Sequence, residues 1–346
     1  MTTEPKVMKG PNVEVPFDSD KIQFPVLASP KLDGMRLKAM PDGLYSLTHK
    51  PQSRDHHAMF SRILAKTLQQ DIVLDCELWS PYLKFNEIMR KENLHKCELY
   101  VFDMMTKDEW YSGTERPFMD RVDEYQQWIQ RHVEPGMKVQ AVDQVVLRTP
   151  KELEEMFDLC LSRGLEGCVI RPVLSKYKHG RATLNEGLMF KWKKWVTVDG
   201  KIVGFKPATR MNKDAPREVD ELGHPKAVHS KQHRTETDAI GSIEVELDDG
   251  TRFFAVGASA EKMVDFVWPQ SQALFASAYL GKMVEVRYQE TGTKDKPRMP
   301  AITRWRPDKD AVWQIRPTLV EPASPTLEEA FTPPPRSTGR KIFTFD

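Results

Sequence analysis

Five apolar runs in the first 195 residues each hold charged residues at or beside an end, which narrows the folds open to this chain. Phe24-Pro25-Val26-Leu27-Ala28 leads into Lys31, and the run from Asp71 to Trp79 contains Asp75 and Glu77. Leu99-Tyr100-Val101-Phe102 ends on Asp103, while Glu166 and Arg171 bracket Gly167-Cys168-Val169-Ile170. The last run, Leu188 to Trp195, alternates apolar and cationic residues, so Lys191 and Lys193 share one strand face. Strands this apolar belong in sheets covered on both sides, and helices of matching character lie between them. The spacing predicts helices over Phe60–Gln69 and Pro117–Val133, and a third behind Thr149, with Pro150 at its first position and Gly164 as its stop. Glu152 is expected to complete a capping box with Thr149. The fold class is α+β.

The polar residues decide the chemistry. Lys31 stands where a buried-type strand gives way to a glycine turn, Lys31-Leu32-Asp33-Gly34-Met35-Arg36. Burial strips an ammonium of hydration, so such a lysine is either paired or has a lowered pKa, which would make it a nucleophile. Each charged strand residue taken alone could be structural, but their joint pattern carries more weight. Three lysines (Lys31, Lys191, Lys193) and two arginines (Arg36, Arg171) suit a polyphosphate. Carboxylates at Asp33, Glu77, Asp103 and Glu166 suit a divalent metal bridging its oxygens. No Walker A loop or protein-kinase signature is present, so side chains are expected to hold the phosphates. His56-His57 has no matching ligands nearby and reads as a solvated pair rather than a metal site.

Composition sets the frame. The net charge of +1 announces no nucleic-acid partner, so a basic surface must be local. Four scattered cysteines without a C-x-x-C pair exclude a disulfide framework and fit a reducing compartment. The N-terminal stretch has no apolar signal region and no run approaches membrane-spanning length, so the expectation is a cytoplasmic protein without a membrane partner (host cytoplasm for a viral one). Residues 1–20 read as a flexible leader, 21–197 as the first domain and 198–312 as the second. Within the latter, 206–238 is a long basic loop with ten Lys, Arg or His residues. Short strands around 201–205, 242–247, 251–256 and 283–289, with a helix from Ser259 to Val267, suggest a small OB-type barrel. The Pro-rich tail 313–346 is expected to be disordered.

K-L-D-G-M-R, D-C-E-L, Y-V-F-D, E-G-C-V-I-R, F-K-W-K and R-P-D-K occur in the order and rough spacing of the covalent nucleotidyltransferase superfamily. The chain most resembles the compact ATP-dependent DNA ligases of phages and viruses, over about residues 20–310. The resemblance implies a nucleotidyltransferase (adenylation) domain of antiparallel sheets and flanking helices followed by an OB-fold. It implies that Lys31 attacks the α-phosphate of ATP to give a lysyl-AMP, which passes to DNA as a DNA-adenylate before nicks are sealed. Lys191 and Lys193 resemble the catalytic pair on that phosphate. Ser29, Asp33, Arg36, Glu77, Phe102, Glu166, Arg306 and Lys309 fall at nucleotide-binding positions. Phe102 is expected to stack on adenine, Arg36 to lie near the ribose or the nick 5′-phosphate, and Arg306, Asp308 and Lys309 to orient pyrophosphate. Glu77 and Glu166 are the expected ligands of Mg²⁺, for which Mn²⁺ could substitute. The implied partners are nicked double-stranded DNA and ATP, with the protein a monomer and its tail a contact for a replication protein. An arginine usual after the first motif is replaced by Leu47, and Arg54 is the nearby substitute. An RNA ligase or GTP-dependent capping guanylyltransferase shares K-x-D-G, and a non-catalytic OB-type nucleic-acid-binding protein is the rival of another class.

Overall fold

A computed structural model describes residues 4–13, 22–212, 217–219, 225–227, 231–257, 272–289 and 297–309. Two five-stranded sheets face each other in its first half. One has the order β4-β3-β5-β6-β7, built from β3 (Met35–Met40), β4 (Gly43–Ser46), β5 (Ile72–Trp79), β6 (Glu98–Thr106) and β7 (Val139–Ala141). The other runs β1-β10-β9-β2-β8, from β1 (Asn12–Val13), β2 (Val26–Pro30), β8 (Val145–Leu147), β9 (Gly167–Pro172) and β10 (Phe190–Lys193). Helices α1 (Arg54–Met59), α2 (Ser61–Gln70), α3 (Phe85–Ile88), α4 (Lys107–Ser112), α5 (Phe118–His132) and α6 (Pro150–Ser162) lie among them.

Amphipathic faces explain the layering. Ile63 of α2 and Phe118, Val122 and Tyr125 of α5 pack with Leu37, Leu74 and Val101 on one side of the first sheet. Leu153, Met156, Phe157 and Cys160 of α6 pack on the second sheet against Ala28, Ile170 and Trp192. Thr149 caps α6 by accepting a hydrogen bond from Glu152 N at 3.2 Å, as the spacing predicts. The box closes differently, because the Glu152 carboxylate accepts from Arg148 N rather than from the cap itself. Helix α1 carries the histidine pair expected to be solvated, where His57 Nε2 instead accepts from Leu44 N and His56 Nδ1 lies 2.7 Å from Ser53 Oγ. All four cysteines are free and buried.

The predicted flexible leader is overturned over its described part. Val7 and Met8 are fully buried in a cluster with Trp110, Tyr177 and Met189. Glu4 Oε1 accepts from Lys38 Nζ at 2.7 Å and Trp110 Nε1 at 2.9 Å, and Oε2 accepts from Tyr111 Oη at 3.1 Å. Lys38 is 1% exposed, so this carboxylate is what lets an ammonium sit in the core. Residues 1–3 and 14–21 lie outside the described residues.

The second half is a closed barrel in the order β11-β14-β15-β17-β16. Its strands are β11 (Val196–Met211), β14 (Arg234–Glu246), β15 (Arg252–Gly257), β16 (Met283–Gln289) and β17 (Arg298–Trp305). Ile202, Ile243, Val245, Phe253, Val284, Val286 and Ile302 fill it. The predicted basic loop 206–238 is largely a ribbon instead. β11 and β14 stay paired out to Met211↔Arg234, and β12 (Arg217–Val219) pairs with β13 (Pro225–Ala227). A ribbon with both faces in water satisfies its backbone across the pair and needs no apolar alternation, so the sequence pattern was silent. A helix α7 (Gln272–Tyr279) stands before β16. The helix expected over Ser259–Val267 and the tail 313–346 lie outside the described residues. Among the described residues no helix is long and apolar enough to cross a membrane.

Buried ion pairs tie the two sheets together. Asp75 and Asp103 face each other across β5 and β6, both wholly buried. Arg36 makes a two-bond contact with Asp75 at 2.8 and 2.6 Å, and Tyr177 Oη donates to the same carboxylate at 2.6 Å. Arg121 and Arg171 donate to Asp103 at 2.8 and 2.6 Å. Two substitutions test this core by urea unfolding. Asp103→Asn leaves two buried guanidinium groups without a counter-charge and is expected to cost about 3–5 kcal/mol. Glu4→Ala strands Lys38 and is expected to cost about 3 kcal/mol. Losses below about 1 kcal/mol would contradict either assignment.

Candidate active site

Lys31 sits on the crossover from one sheet to the other, between β2 and β3. Its N–H donates to Gly167 O at 2.9 Å, which pins the crossover to the start of β9. Two glycines allow the close approach. A Cβ on Gly34 would stand 2.2 Å from Leu78 O, and one on Gly167 would stand 2.0 Å from Trp192 O. Gly167 also adopts φ +138°, which a side chain disfavours.

A cavity of about 380 Å³ opens beside Lys31, between the sheets. Register explains which side chains reach it. Ser29, Val169 and Lys191 are successive neighbours across β2, β9 and β10, and Arg36 faces Glu77 across β3 and β5. Ser29, Lys31, Arg36, Glu77, Phe102, Lys191 and Lys193 therefore line it together. Asp33 and Glu166 line a second cavity of about 290 Å³, whose wall shares Lys31 and Phe85 with the first. Glu166 bridges the lysines, forming ion pairs with Lys31 Nζ and, at 3.1 Å, with Lys193 Nζ.

Burial and like charge shape the electrostatics. Burial, then Lys193 and Lys31, push the Lys191 ammonium down to about 8. Burial and Lys31 lower Lys193 too, with Glu166 opposing. Burial raises Glu77 to about 7 against the pull of Lys31 and Arg36. Burial would also raise Glu166, but Lys31 and Lys193 outweigh it and hold the carboxyl below its ordinary range. Such a set of cations, partly stripped of water around an aromatic ring, can hold a nucleotide polyphosphate.

Several expectations change. Asp103, expected as a metal-type carboxylate, is committed to Arg121 and Arg171. Arg171 reaches the cavity wall, but it shares the Asp103 carboxylate with Arg121 and its guanidinium lies 3.6 Å over the Phe118 ring. Arg36 also spends its donors structurally, on Asp75 and on Met8 O at 2.7 Å, while its plane lies 5.0 Å from the Phe102 ring centre. It thus braces Phe102. Arg306 and Lys309 both pair with Asp199 on the barrel and line neither cavity. Leu47 lines the first cavity, whereas Arg54 is exposed at the start of α1 and lines neither.

Lys9, Gln144 and Arg298, outside the motifs, and Val169, inside one but given no role, also line the first cavity. Val169 was readable from strand alternation with Arg171. Lys9 was hidden by the absence of periodicity in its segment. Arg298 belongs to the barrel, yet its guanidinium meets Asp33 at 2.6 Å and lies 4.7 Å over the Phe85 ring. No local signal marks it, because its partner is 265 positions away.

The same residues stand in a wider context of similarity. A family model described as the ATP dependent DNA ligase domain matches residues 18–195. A probable DNA ligase of Dictyoglomus thermophilum is 23% identical over 175 residues, which are 45% of this chain. The match spans only 29% of that relative's length. A solved structure called Pmar-Lig_Pre superposes with a TM-score of 0.64 at 18% identity, covering 87% of this chain and 67% of that one. A Lig E DNA ligase, solved in a study of DNA binding with a minimal scaffold, gives a TM-score of 0.59 at 17% identity, covering 87% and 99%. These two likenesses concern the fold. With the matched region holding Lys31, Glu77, Phe102, Glu166, Lys191 and Lys193, the chain belongs to the ATP-dependent DNA ligase domain family.

Proposed function

We propose that this protein is an ATP-dependent DNA ligase of the minimal two-domain type, sealing 3′-OH/5′-phosphate nicks in duplex DNA. Residues 21–197 form its adenylation domain and 198–312 an OB-fold domain, which the closed five-stranded barrel supports. The observation that carries the reading is the placement of Lys31 on the shared wall of two cavities, with Lys191, Lys193 and Phe102 around the larger one.

In the first step Lys31 Nζ leaves its ion pair with Glu166, gives up its ammonium proton to solvent and attacks the α-phosphorus of ATP, losing a second proton as the phosphoramidate forms. An N–P bond forms, the bond to the bridging oxygen breaks, and pyrophosphate leaves with the electron pair. Lys191 and Lys193 hold the α-phosphate oxygens and stabilise the charge that develops on them. Phe102, braced by Arg36, stacks on the adenine, and Val169 stands on the facing sheet. The 5′-phosphate of the nick then attacks the AMP phosphorus and releases Lys31. Finally the 3′-hydroxyl attacks the activated 5′-phosphate and AMP departs. Arg306 and Lys309 act on the leaving pyrophosphate only after the barrel turns, since in this arrangement Arg298 is the barrel residue at the site.

Glu77 on the wall of the larger cavity and Glu166 on that of the second are the carboxylates that would offer oxygens to a divalent cation of the Mg²⁺ kind, Glu166 exchanging its lysine partners to do so. Among the described residues no group of three or more His, Cys, Asp or Glu is placed to hold a metal. Two carboxylates with phosphate oxygens and water suit an ion that keeps much of its hydration. Bound there, Mg²⁺ or Mn²⁺ would neutralise phosphate charge.

Lys31→Ala is expected to form no covalent adenylate with labelled ATP, and persistence of the adduct would overturn the reading. ATP tested against GTP, and nicked DNA against nicked RNA, separates a ligase of this kind from its superfamily rivals. Nucleotide phosphates beside Lys191 should raise its pKa from about 8, so binding takes up a proton. Affinity is therefore expected to fall as pH rises through 8 and beyond. Calorimetry at pH near 8.5 in buffers of different ionisation enthalpy reads that uptake directly.

A further inference from the structure

The segment between β7 and β8 carries the chain from the edge of one sheet to the edge of the other, and its Val142 and Gln144 line the larger cavity. Val142 N donates to Val101 O at 2.8 Å, which fixes the segment beside Phe102. Val145 pairs with Ala28, so Gln144 falls opposite Ser29, one step further along. It thereby extends the row that crosses the second sheet through Lys191, Val169 and Ser29. All four side chains line the larger cavity. Three strand spacings, about 14 Å, separate the lysine from the amide. A nucleotide with its phosphate on Lys191 and its base between Phe102 and Val169 therefore turns the far edge of that base to Gln144.

Tyr125 decides which way the amide faces. It is fully buried, and burial raises the phenol far above its ordinary range, so it keeps its proton. That single O–H donates to Val142 O at 2.9 Å, which leaves the phenol oxygen only lone pairs for other neighbours. Gln144 is hydrogen-bonded to the same phenol and so gives it an amide N–H. The carboxamide oxygen then points away from Tyr125. The other polar groups nearby carry no preference between bases. The Ser29 hydroxyl can donate or accept. Arg171 lines the same cavity, and its Nε has no partner among the described residues. A guanidinium donates to N7 of either purine, so it adds hold without choosing between them.

We propose that Gln144 is the residue that selects adenine, its carboxamide oxygen accepting a hydrogen bond from the 6-amino group. The inference deepens the ligase reading above and rests on it. Guanine presents its O6 acceptor at that place, so two oxygens would face each other and each would go unpaired. Tyr125 is a positioning residue. Without its oxygen the amide is free to turn and to offer an N–H to O6.

The experiment follows covalent labelling of the full chain in single turnovers, over a range of ATP, GTP and purine riboside 5′-triphosphate, which lacks the 6-amino group. Wild type is compared with Gln144→Leu, Gln144→Ala and Tyr125→Phe, and thermal unfolding reports that each is folded. Wild type is expected to need about tenfold more of the analogue than of ATP for half-maximal labelling, the equivalent of one neutral hydrogen bond. Both Gln144 variants should need about tenfold more ATP than wild type and lose nothing further on the analogue. Tyr125→Phe should use GTP at lower concentration than wild type, and adding Gln144→Leu should remove that gain. Unchanged ATP half-saturation in both Gln144 variants, penalties that multiply, or a Tyr125→Phe enzyme that treats GTP as wild type does would overturn the inference alone. Failure of wild type to be labelled by any of the three nucleotides would overturn the ligase reading and this inference with it.

Discussion

Two aspartates facing each other across neighbouring strands set the constraint on which this protein's first half is built. Asp75 and Asp103 are both wholly buried, and carboxylates so close repel unless each is matched by a rigid cation. Arg36 answers one with paired bonds, and Arg121 and Arg171 answer the other. Arginine suits this duty because its planar fork fixes direction as well as charge. These partners come from β3, α5 and β9, so the network joins both sheets and the helix behind them. Three guanidinium groups against two carboxylates leave positive charge at the floor of the cavity, where phosphate would lie.

The site inherits its rigidity from that network. Arg36 orders Phe102 above and Met8 below, so the ring on the cavity wall, the buried N-terminal strap and the core carboxylate move as one body. Preorganisation of this kind spares a bound ligand much of the ordering cost. Lys31 occupies the opposite condition. It lies on a crossover with no strand pairing of its own, tethered by one backbone bond to Gly167 and balanced against Glu166. A nucleophile that must reach two substrates is well served by a rigid frame around a lightly held side chain. The barrel enters through Arg298 and Gln289, residues at the paired ends of two of its strands.

Much of this was legible in the chain, for a physical reason in each case. The alternation at Lys191 and Lys193 put them on one face, and pairing with Val169 and Gly167 turned that face to the cavity. Gly34 was legible only as a turn glycine, and the close backbone approach at Gly34 and Gly167, which leaves no room for a side chain, came with the structure. The Thr149 and Gly164 signals bounded a helix almost to the residue. Charge within a strand was ambiguous, however. Asp103 and Arg171 have the residue types of a ligand site, yet each is the other's partner, and only distance separates those roles. The strap and the basic ribbon escaped because both are held by backbone bonds and single anchors such as Glu4, not by a repeating apolar face.

The amino-acid sequence by itself determined the buried strands and main helices of the first half, the crossover lysine with its turn glycine, and the cations available to a phosphate. Those properties are local, arising from hydrophobic period, turn chemistry and residue type. Only the tertiary structure decided which charges are spent inside the core and which face a cavity, since pairing depends on atoms tens or hundreds of residues apart. It also decided that the barrel presents Arg298 and Gln289 to Lys31 while Arg306 and Lys309 bind Asp199. That choice depends on how two folded bodies dock, which no period or motif in a single chain encodes.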